Sequence, residues 1–341
     1  MGQMLLIGFQ GTELENDTAA LLQEISPGGV ILFDYDGPTQ GELPRNIESR
    51  DQLRSLIDSL QDQAGIPLFV AIDAEGGYVN RLKSEYGFQV TVPSHQELGA
   101  MLPSETREIV LPLAEELKWL GVNWNLAPVV DVNLNTESPA IGAVERSFGI
   151  DPNVVAAHAV AFVEAHSEVG IISTLKHFPG HGSATGDTRL GVTDVTETFN
   201  QSVELAPYRW LIDGGYPGTV MTAHIVNRKL DPTDTPATLS HRIITRLLRN
   251  DLGFDGVVVS DDIQMGAIVE AYELEPAAVQ AVQAGVDVIL VAGQANDDIN
   301  QVRRIKQAIL QAVSDGEISE DRIYESADRI LALKRAYRIV N

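Results

Sequence analysis

The sequence predicts a single (β/α)8 barrel. Eight short runs rich in Val, Ile and Leu recur along the 341 residues, and segments of helical spacing separate them. Polar residues gather directly after the runs. Continuous apolar strands alternating with helices are the pattern of a parallel sheet covered by helices, and eight is the number that closes a barrel. A doubly wound open sheet is the alternative, but no Gly-x-Gly-x-x-Gly follows the first run, which weakens a dinucleotide-binding reading. No linker, low-complexity tract or composition shift interrupts the chain, so one domain over 1–341 is expected.

The elements follow in order. Residues 4–9 form a first apolar run, and Leu14, Leu21, Leu22 and Ile25 then fall at helical spacing. Residues 29–33 are the second strand, ending at Asp34, Tyr35 and Asp36. Leu53, Leu56, Ile57 and Leu60 share one face of a helix over about 49–64. The third strand, 68–72, runs into Asp73-Ala74-Glu75-Gly76-Gly77. A helix near 104–120 precedes strand four at 122–131, and Pro152 opens the next helix, where proline is tolerated in the first turn. Strand five is 171–176, strand six 219–224, strand seven 257–262 and strand eight 286–290. Helices near 200–214, 241–252 and 275–284 separate them, and helices near 297–314 and 319–338 close the chain.

Composition narrows the function. Forty-eight acidic against twenty-four basic residues give a net charge of −24. Phosphate backbones and anionic membranes both call for clustered Lys and Arg, so neither nucleic acid nor a membrane surface is an expected partner. The acidic excess reads as a solubilising surface, suited to a salty environment. There is no cysteine, hence no disulfide or thiolate chemistry. The first residues lack a basic segment and a long apolar run, and no run of 18 apolar residues occurs. A cytoplasmic monomer is the expectation, with a secreted form the alternative if a leader has been removed.

The stretch 176–189, Lys-His-Phe-Pro-Gly-His-Gly-Ser-Ala-Thr-Gly-Asp-Thr-Arg, stands apart. It leaves the fifth strand for a glycine-rich loop that can bury little. Yet it carries a lysine, two histidines, an aspartate and an arginine. In a barrel the strand C-termini face one mouth, which would gather Asp73, Asp131, Lys176, His177, His224 and Asp261 there. Each has a plain structural reading. Asp131 could cap a turn, His224 could be a satisfied core histidine, and Asp261 with Asp262 could begin a helix. All of them together would be costly to bury without a use. Carboxylates facing a common mouth suit glycosidic bond cleavage. A metal site is the weaker reading, because His177 and His181 lie on a Pro-Gly loop rather than one helical face.

These residues resemble glycoside hydrolase family 3, in particular its single-domain bacterial β-N-acetylglucosaminidases. The resemblance covers nearly the whole chain. It rests on Gly28-Gly29-Val30-Ile31-Leu32-Phe33, the Asp73 to Gly77 segment with Arg81, and Asn125-Leu126-Ala127-Pro128-Val129-Val130-Asp131. It continues through Glu145-Arg146-Ser147-Phe148, Lys176-His177-Phe178-Pro179-Gly180-His181-Gly182, Met221-Thr222-Ala223-His224 and Ser260-Asp261-Asp262. The Lys-His-Phe-Pro-Gly-His-Gly run is the most specific part.

The resemblance implies a cofactor-independent, retaining, exo-acting enzyme on small glycosides from cell wall or chitin, with no metal. It makes Asp261 the nucleophile. Asp73, Arg81, Arg146, Lys176 and His177 become contacts to sugar hydroxyls and the acetamido group, with His224 beside them. One position departs. Where the family has Asp-Ser-His or Asp-Thr-His, with histidine as acid/base, this chain has Asp187-Thr188-Arg189. Arginine, with a pKa above about 12, cannot shuttle a proton. The chain is then an impaired or non-catalytic sugar-binding relative, or it uses another donor such as Asp187 or His181, or Arg189 holds an anion with phosphate as acceptor, or Arg189 is a purely structural arginine on an unrelated loop register. A β-glucosidase of the wider family is disfavoured, since those resemble larger chains whose acid lies in an added domain.

Overall fold

A computed structural model of the chain describes residues 1–294 and 298–340. Eight parallel strands form its centre: β1 (Leu5–Gly8), β2 (Gly29–Leu32), β3 (Phe69–Ile72), β4 (Trp124–Asn125), β5 (Thr174–Phe178), β6 (Thr219–Thr222), β7 (Val258–Val259) and β8 (Ile289–Val291). β8, β1, β2, β3 and β4 pair side by side in one parallel sheet, and β5, β6 and β7 pair in another. Parallel bridges Trp124↔Ile172 and Val129↔Lys176 join β4 to β5, and Val259↔Val288 joins β7 to β8. The ring therefore closes in sequence order as the expected (β/α)8 barrel. The fourth strand is much shorter than the expected 122–131. Its later residues pair more loosely, through the bridge at Val129 and backbone bonds such as those from Val130 N–H to the Lys176 carbonyl, from Lys176 N–H to the Pro128 carbonyl and from Thr174 N–H to the Ala127 carbonyl.

Helices pack outside the ring, each cued locally. α1 (Asn16–Ile25) buries Leu21, Leu22 and Ile25, and α2 (Arg50–Gln63) starts at a Ser49/Gln52 capping box and buries Leu53, Leu56, Ile57 and Leu60. α3 (Pro103–Leu120) and α4 (Pro152–Val169) carry proline in their first turns and end at left-handed Gly121 and Gly170. The expected helix at 200–214 is two pieces, Gln201–Glu204 and α5 (Ala206–Asp213), and a π-helix spans Arg242–Asp251. α6 (Leu274–Ala284), α7 (Asn300–Ser314) and α8 (Glu320–Ala336) complete the layer. Of the helix expected from 297, that first residue lies outside the described ones.

The barrel interior is filled rather than open. Trp124 is fully buried and its indole N–H donates to the Thr174 and Thr219 hydroxyls at 2.8 and 3.1 Å, tying β4, β5 and β6 together. At the opposite end from the mouth, Asp287 accepts from Arg249 at 2.6 Å and Arg322 at 3.1 Å, locking α8 and the π-helix to the start of β8. Among the described residues, no helix is long and apolar enough to cross a membrane.

Candidate active site

A pocket of about 400 Å³ opens at the C-terminal ends of the strands. It receives side chains from successive units: Asp73 and Arg81 after β3, Arg146 after β4, Lys176 and His177 from β5, Arg189 from the loop after β5, and Asp261 and Asp262 after β7. Residues up to 189 positions apart thus share one wall because the parallel ring turns every strand the same way.

A buried ion cluster forms the floor. Lys176 Nζ lies 2.8 Å from Asp73 Oδ1 and 2.6 Å from Glu75 Oε1. The Glu75 carboxylate also accepts two parallel N–H bonds from Arg146, at 2.9 Å from Nε and 2.7 Å from Nη2. This fork geometry fixes the guanidinium plane. Burial acts to raise the Glu75 pKa, but Arg146 and Lys176 overcome it and hold the carboxyl well below the usual range. Asp73 is held low in the same sense, with Lys176 and Arg81 outweighing its burial. Arg81 reaches Asp34 at 3.4 Å and Asp73 at 3.5 Å. Lys176 and Arg146 are held fast by these carboxylates, while Arg81 is tied more loosely and keeps Nε free.

His177 is neutral. Burial and then the neighbouring Arg146 push its pKa well below the ordinary value. Arg146 Nη2 donates to its Nε2 at 3.3 Å, which leaves the proton on Nδ1, 2.7 Å from Asp131 Oδ2. Asp131 also accepts the backbone N–H groups of His177 and His181, the latter at 2.7 Å. Asp131 is therefore a clamp on the loop after β5, more than a turn cap. The Lys176–His177 peptide bond is cis.

Asp261 is half-buried on the pocket wall, its Oδ1 accepting the Asp262 N–H at 2.8 Å. Asp262 caps the turn by accepting from Gln264 N–H at 3.2 Å and Ala292 N–H at 3.1 Å, and burial pushes its pKa up to about 7.

The loop that departs from the family pattern folds onto the segment following Asp261. Ala267 N–H donates to the Thr188 carbonyl at 3.0 Å and Gly266 N–H to the Arg189 carbonyl at 3.3 Å. Gly266 is needed for this approach, since a Cβ there would stand 2.9 Å from the Arg189 oxygen. Arg189 lines the pocket with its side chain 54% exposed and makes one side-chain bond, at 3.2 Å to Asp187. Asp187 is half-buried behind it and does not line the pocket.

Two expectations change. His224 does not reach the ligand space: it is fully buried, Nδ1 bonds to the Thr238 hydroxyl at 2.8 Å and Nε2 to the Asp262 carbonyl at 2.9 Å. It supports the Asp261–Asp262 turn instead. His181 also lies off the pocket, buried beneath the loop with Nε2 3.5 Å from the Thr188 hydroxyl, so it is poorly placed as a proton donor. Sequence reasoning missed Glu75 and Asp34, the carboxylates that hold the cations. Both stand at or just after strand ends, the position that flagged Asp73 and Asp131.

Fold and site define a class: an α/β barrel with a small, charge-lined pocket at the strand C-termini, suited to a polar ligand. Residues 1–333 match the family model for the glycosyl hydrolase family 3 N-terminal domain, and the chain belongs to that family. A β-hexosaminidase of Stenotrophomonas maltophilia (strain R551-3) is 38% identical over 299 residues, 84% of this chain and 83% of that protein. β-Hexosaminidase A of Pseudoalteromonas piscicida is 33% identical over 95% of this chain, which spans only 56% of that longer protein. The solved family 3 β-N-acetylglucosaminidase of Paenibacillus sp. str. FPU-7 superimposes with a TM-score of 0.90 at 38% identity, covering 99% of this chain and 62% of that one.

Proposed function

We propose that this chain is a retaining, exo-acting β-N-acetylglucosaminidase, with residues 1–341 acting as one catalytic barrel domain. The observation that carries the reading is Asp261 on the wall of the pocket whose floor is the fixed Asp73–Lys176–Glu75–Arg146 cluster. Names of the relatives supply the sugar: two are β-hexosaminidases and one is a β-N-acetylglucosaminidase. In this reading Asp73, Arg81 and Lys176 hold ring hydroxyls, while Arg146 and His177 border the acetamido group. Asp261 attacks the anomeric carbon and forms a glycosyl-aspartate, and a second displacement restores the original configuration. His224 holds the turn that aims Asp261.

Arg189 supports a second reading, an impaired or non-catalytic sugar-binding barrel, because loss of general acid–base assistance costs about 10²- to 10⁴-fold. Hydrolysis of p-nitrophenyl β-N-acetylglucosaminide and of chitobiose by the wild type and Arg189→His separates the two. Nitrophenolate leaves without a proton, whereas a sugar needs one. The enzyme reading expects nitrophenolate release that Asp261→Asn abolishes, and chitobiose turnover that rises in Arg189→His. No nitrophenolate release from either protein refutes it.

A further inference from the structure

Glu204 is fully buried with no ion-pair partner among the described residues, and the proposed reaction does not use it. It ends the short helix Gln201–Glu204 and packs against the turn that leaves β5. Its Oε1 accepts the Asn200 N–H at 3.2 Å, while Oε2 is buried and meets no hydrogen-bonding group among the described residues. The contact with the turn is close: a Cβ on Gly180, whose φ is +141°, would stand 2.9 Å from Oε2. Two hydroxyls border the same space, Ser183 on the turn and Tyr208 on α5, and both are buried with their oxygens unpaired. Tyr208 also packs edge-on against Phe178, with ring centroids 5.1 Å apart. A second carboxyl, Asp131, serves the same turn by accepting three N–H groups, the backbone ones of His177 and His181 and that on His177 Nδ1. Neither carboxyl is paired with a lysine or arginine, and two like charges so placed do not both ionise readily. Asp131, with three donors, keeps the charge; Glu204, with one, keeps the proton. Burial, reinforced by Asp131, outweighs the neighbouring donors and pushes the Glu204 pKa up to about 7. The other titratable groups on the packed elements, Tyr208 and His181, are held neutral by burial.

We propose that Glu204 is a positioning residue for this site: its uncharged carboxyl seats the turn from Lys176 to Ser183, and loss of its proton loosens that turn. The inference rests on the proposed role of the pocket, because the same turn carries Lys176 and His177. A protonated Oε2 is a donor, and the Ser183 and Tyr208 hydroxyls that border it are acceptors. An ionised Oε2 would instead lie buried near Asp131 with no cation to balance it, which is costly. The proton is released to solvent and no covalent bond of the chain changes. Asp131 does not compensate, since the N–H groups of the turn already occupy it. A loosened turn disturbs the floor directly: Lys176 bridges Asp73 and Glu75, and His177 meets Asp131 and Arg146. Misplacing such groups by about 1 Å costs up to about 100-fold in rate.

The test compares the wild type, Glu204→Gln and Glu204→Ala between about pH 4.5 and 8.5. Glutamine keeps the shape and a donor and never ionises. Hydrogen exchange of residues 176–184, followed by mass spectrometry, reads the turn itself. It is expected to be equal in the wild type and Glu204→Gln at low pH and faster in the wild type at high pH. Melting temperatures read the linkage. The folded-state pKa of Glu204 is raised above the unfolded value of about 4.3, so its contribution to stability is full below that value and is lost as pH rises through about 7. Glu204→Gln is therefore expected to match the wild type near pH 4.5 and to melt about 3–6 °C above it near pH 8.5. On p-nitrophenyl β-N-acetylglucosaminide, wild-type kcat is expected to fall about tenfold between pH 6 and 8.5 through an ionisation that Glu204→Gln lacks, while Glu204→Ala is slow throughout. Asp262, with its own pKa of about 7, stays in all three proteins, so only the differences between them count. Equal exchange in the wild type and Glu204→Gln at high pH, identical pH–rate profiles, or a wild type that melts above Glu204→Gln near pH 8.5 overturns the inference while leaving the glycosidase reading standing. Absence of nitrophenolate release at every pH instead removes the glycosidase reading, and exchange and melting still decide whether Glu204 seats the turn.

Discussion

Replacing Glu75 by glutamine tests the ion cluster that the site is built on. Glu75 is 1% exposed and neutralises two cations, Lys176 at 2% and Arg146 at 6% exposure. Glutamine keeps the volume and removes the charge, leaving Asp73 alone to balance both. Removing one partner of a buried pair costs about 3–5 kcal/mol, because the surviving charges stay desolvated. The unfolding entropy of a chain this long is about 0.7 kcal/mol/K, so Tm is expected to fall by about 4–7 °C. Glu168→Gln is the control. Arg107 and Glu168 are 40% and 47% exposed, and such surface pairs contribute at most about 1 kcal/mol.

The pH dependence is a sharper check on the same prediction. The folded-state pKa of Glu75 lies well below its usual value. Its charge therefore contributes full stability above the unfolded value of about 4.3 and loses that contribution as pH falls through the folded value. Calorimetric melts at several pH values should show a constant gap between wild type and Glu75→Gln from pH 8 to about 5, narrowing on further acidification. A gap below about 1 °C at pH 7 would refute the reasoning, since no buried, charged cluster loses its central carboxylate at so small a cost.

Three further outcomes are expected. Nitrogen NMR of the His177 ring should show no protonation between pH 8 and pH 5.5, because burial and Arg146 hold its pKa well below the ordinary value; a titration near 6.5 would place Arg146 elsewhere. Gly266→Ala should push the Arg189 carbonyl away, and kcat/KM for nitrophenyl glycoside hydrolysis should fall about 10- to 100-fold from misplacement of the loop, whereas an unchanged value would show that the contact positions nothing. Lys334 is fully buried against Gln3 at 2.8 Å and the Pro67 carbonyl at 2.6 Å, and burial lowers its pKa to about 7. The unfolded chain binds the extra proton between about pH 7 and 10.4, so wild-type stability gains from rising pH in that window. Any Tm advantage of Lys334→Met at neutral pH should shrink towards pH 10, and a gap independent of pH would contradict the lowered value.

The barrel was legible because each of its parts has a local signature. Apolar runs mark the strands, a Ser49/Gln52 box and first-turn prolines mark helix starts, and Gly121 and Gly170 mark helix ends. Strand lengths were less legible. In the fourth unit, Pro128 lacks an N–H and the apolar run continues past the residues that pair continuously. At the site, strand-end position alone identified Asp73, Lys176, His177 and Asp261. It could not distinguish His224, which turns both ring nitrogens to protein partners, from His177, which lines the pocket. Nor could it pair Glu75 with Arg146, 71 residues away, since ion-pair choice depends on how neighbouring units pack. The docking of Arg189 on Gly266 was hidden for the same reason.

The two ends of the pocket are built on different principles, and this has a measurable consequence. On the floor of the pocket Lys176 and Arg146 are fixed by carboxylates, so donor positions are set before a ligand arrives and need no reorganisation. At the lip Arg189 keeps Nε and Nη2 without a bond among the described residues, so its contribution arises only when a ligand meets it. In the structure Arg189 shares no bonding partner with the cluster: its side chain meets Asp187, whereas Asp73, Glu75, Arg146 and Lys176 bond among themselves. Sites without shared partners that lie more than about 7–10 Å apart add within about 0.5 kcal/mol. The kcat/KM losses of Glu75→Gln and Arg189→Gln, measured on p-nitrophenyl β-N-acetylglucosaminide, are therefore expected to multiply in the double variant. A double variant no worse than the poorer single one would mean that both residues serve a single feature of the substrate, and the division of the pocket into a fixed floor and a free lip would fall.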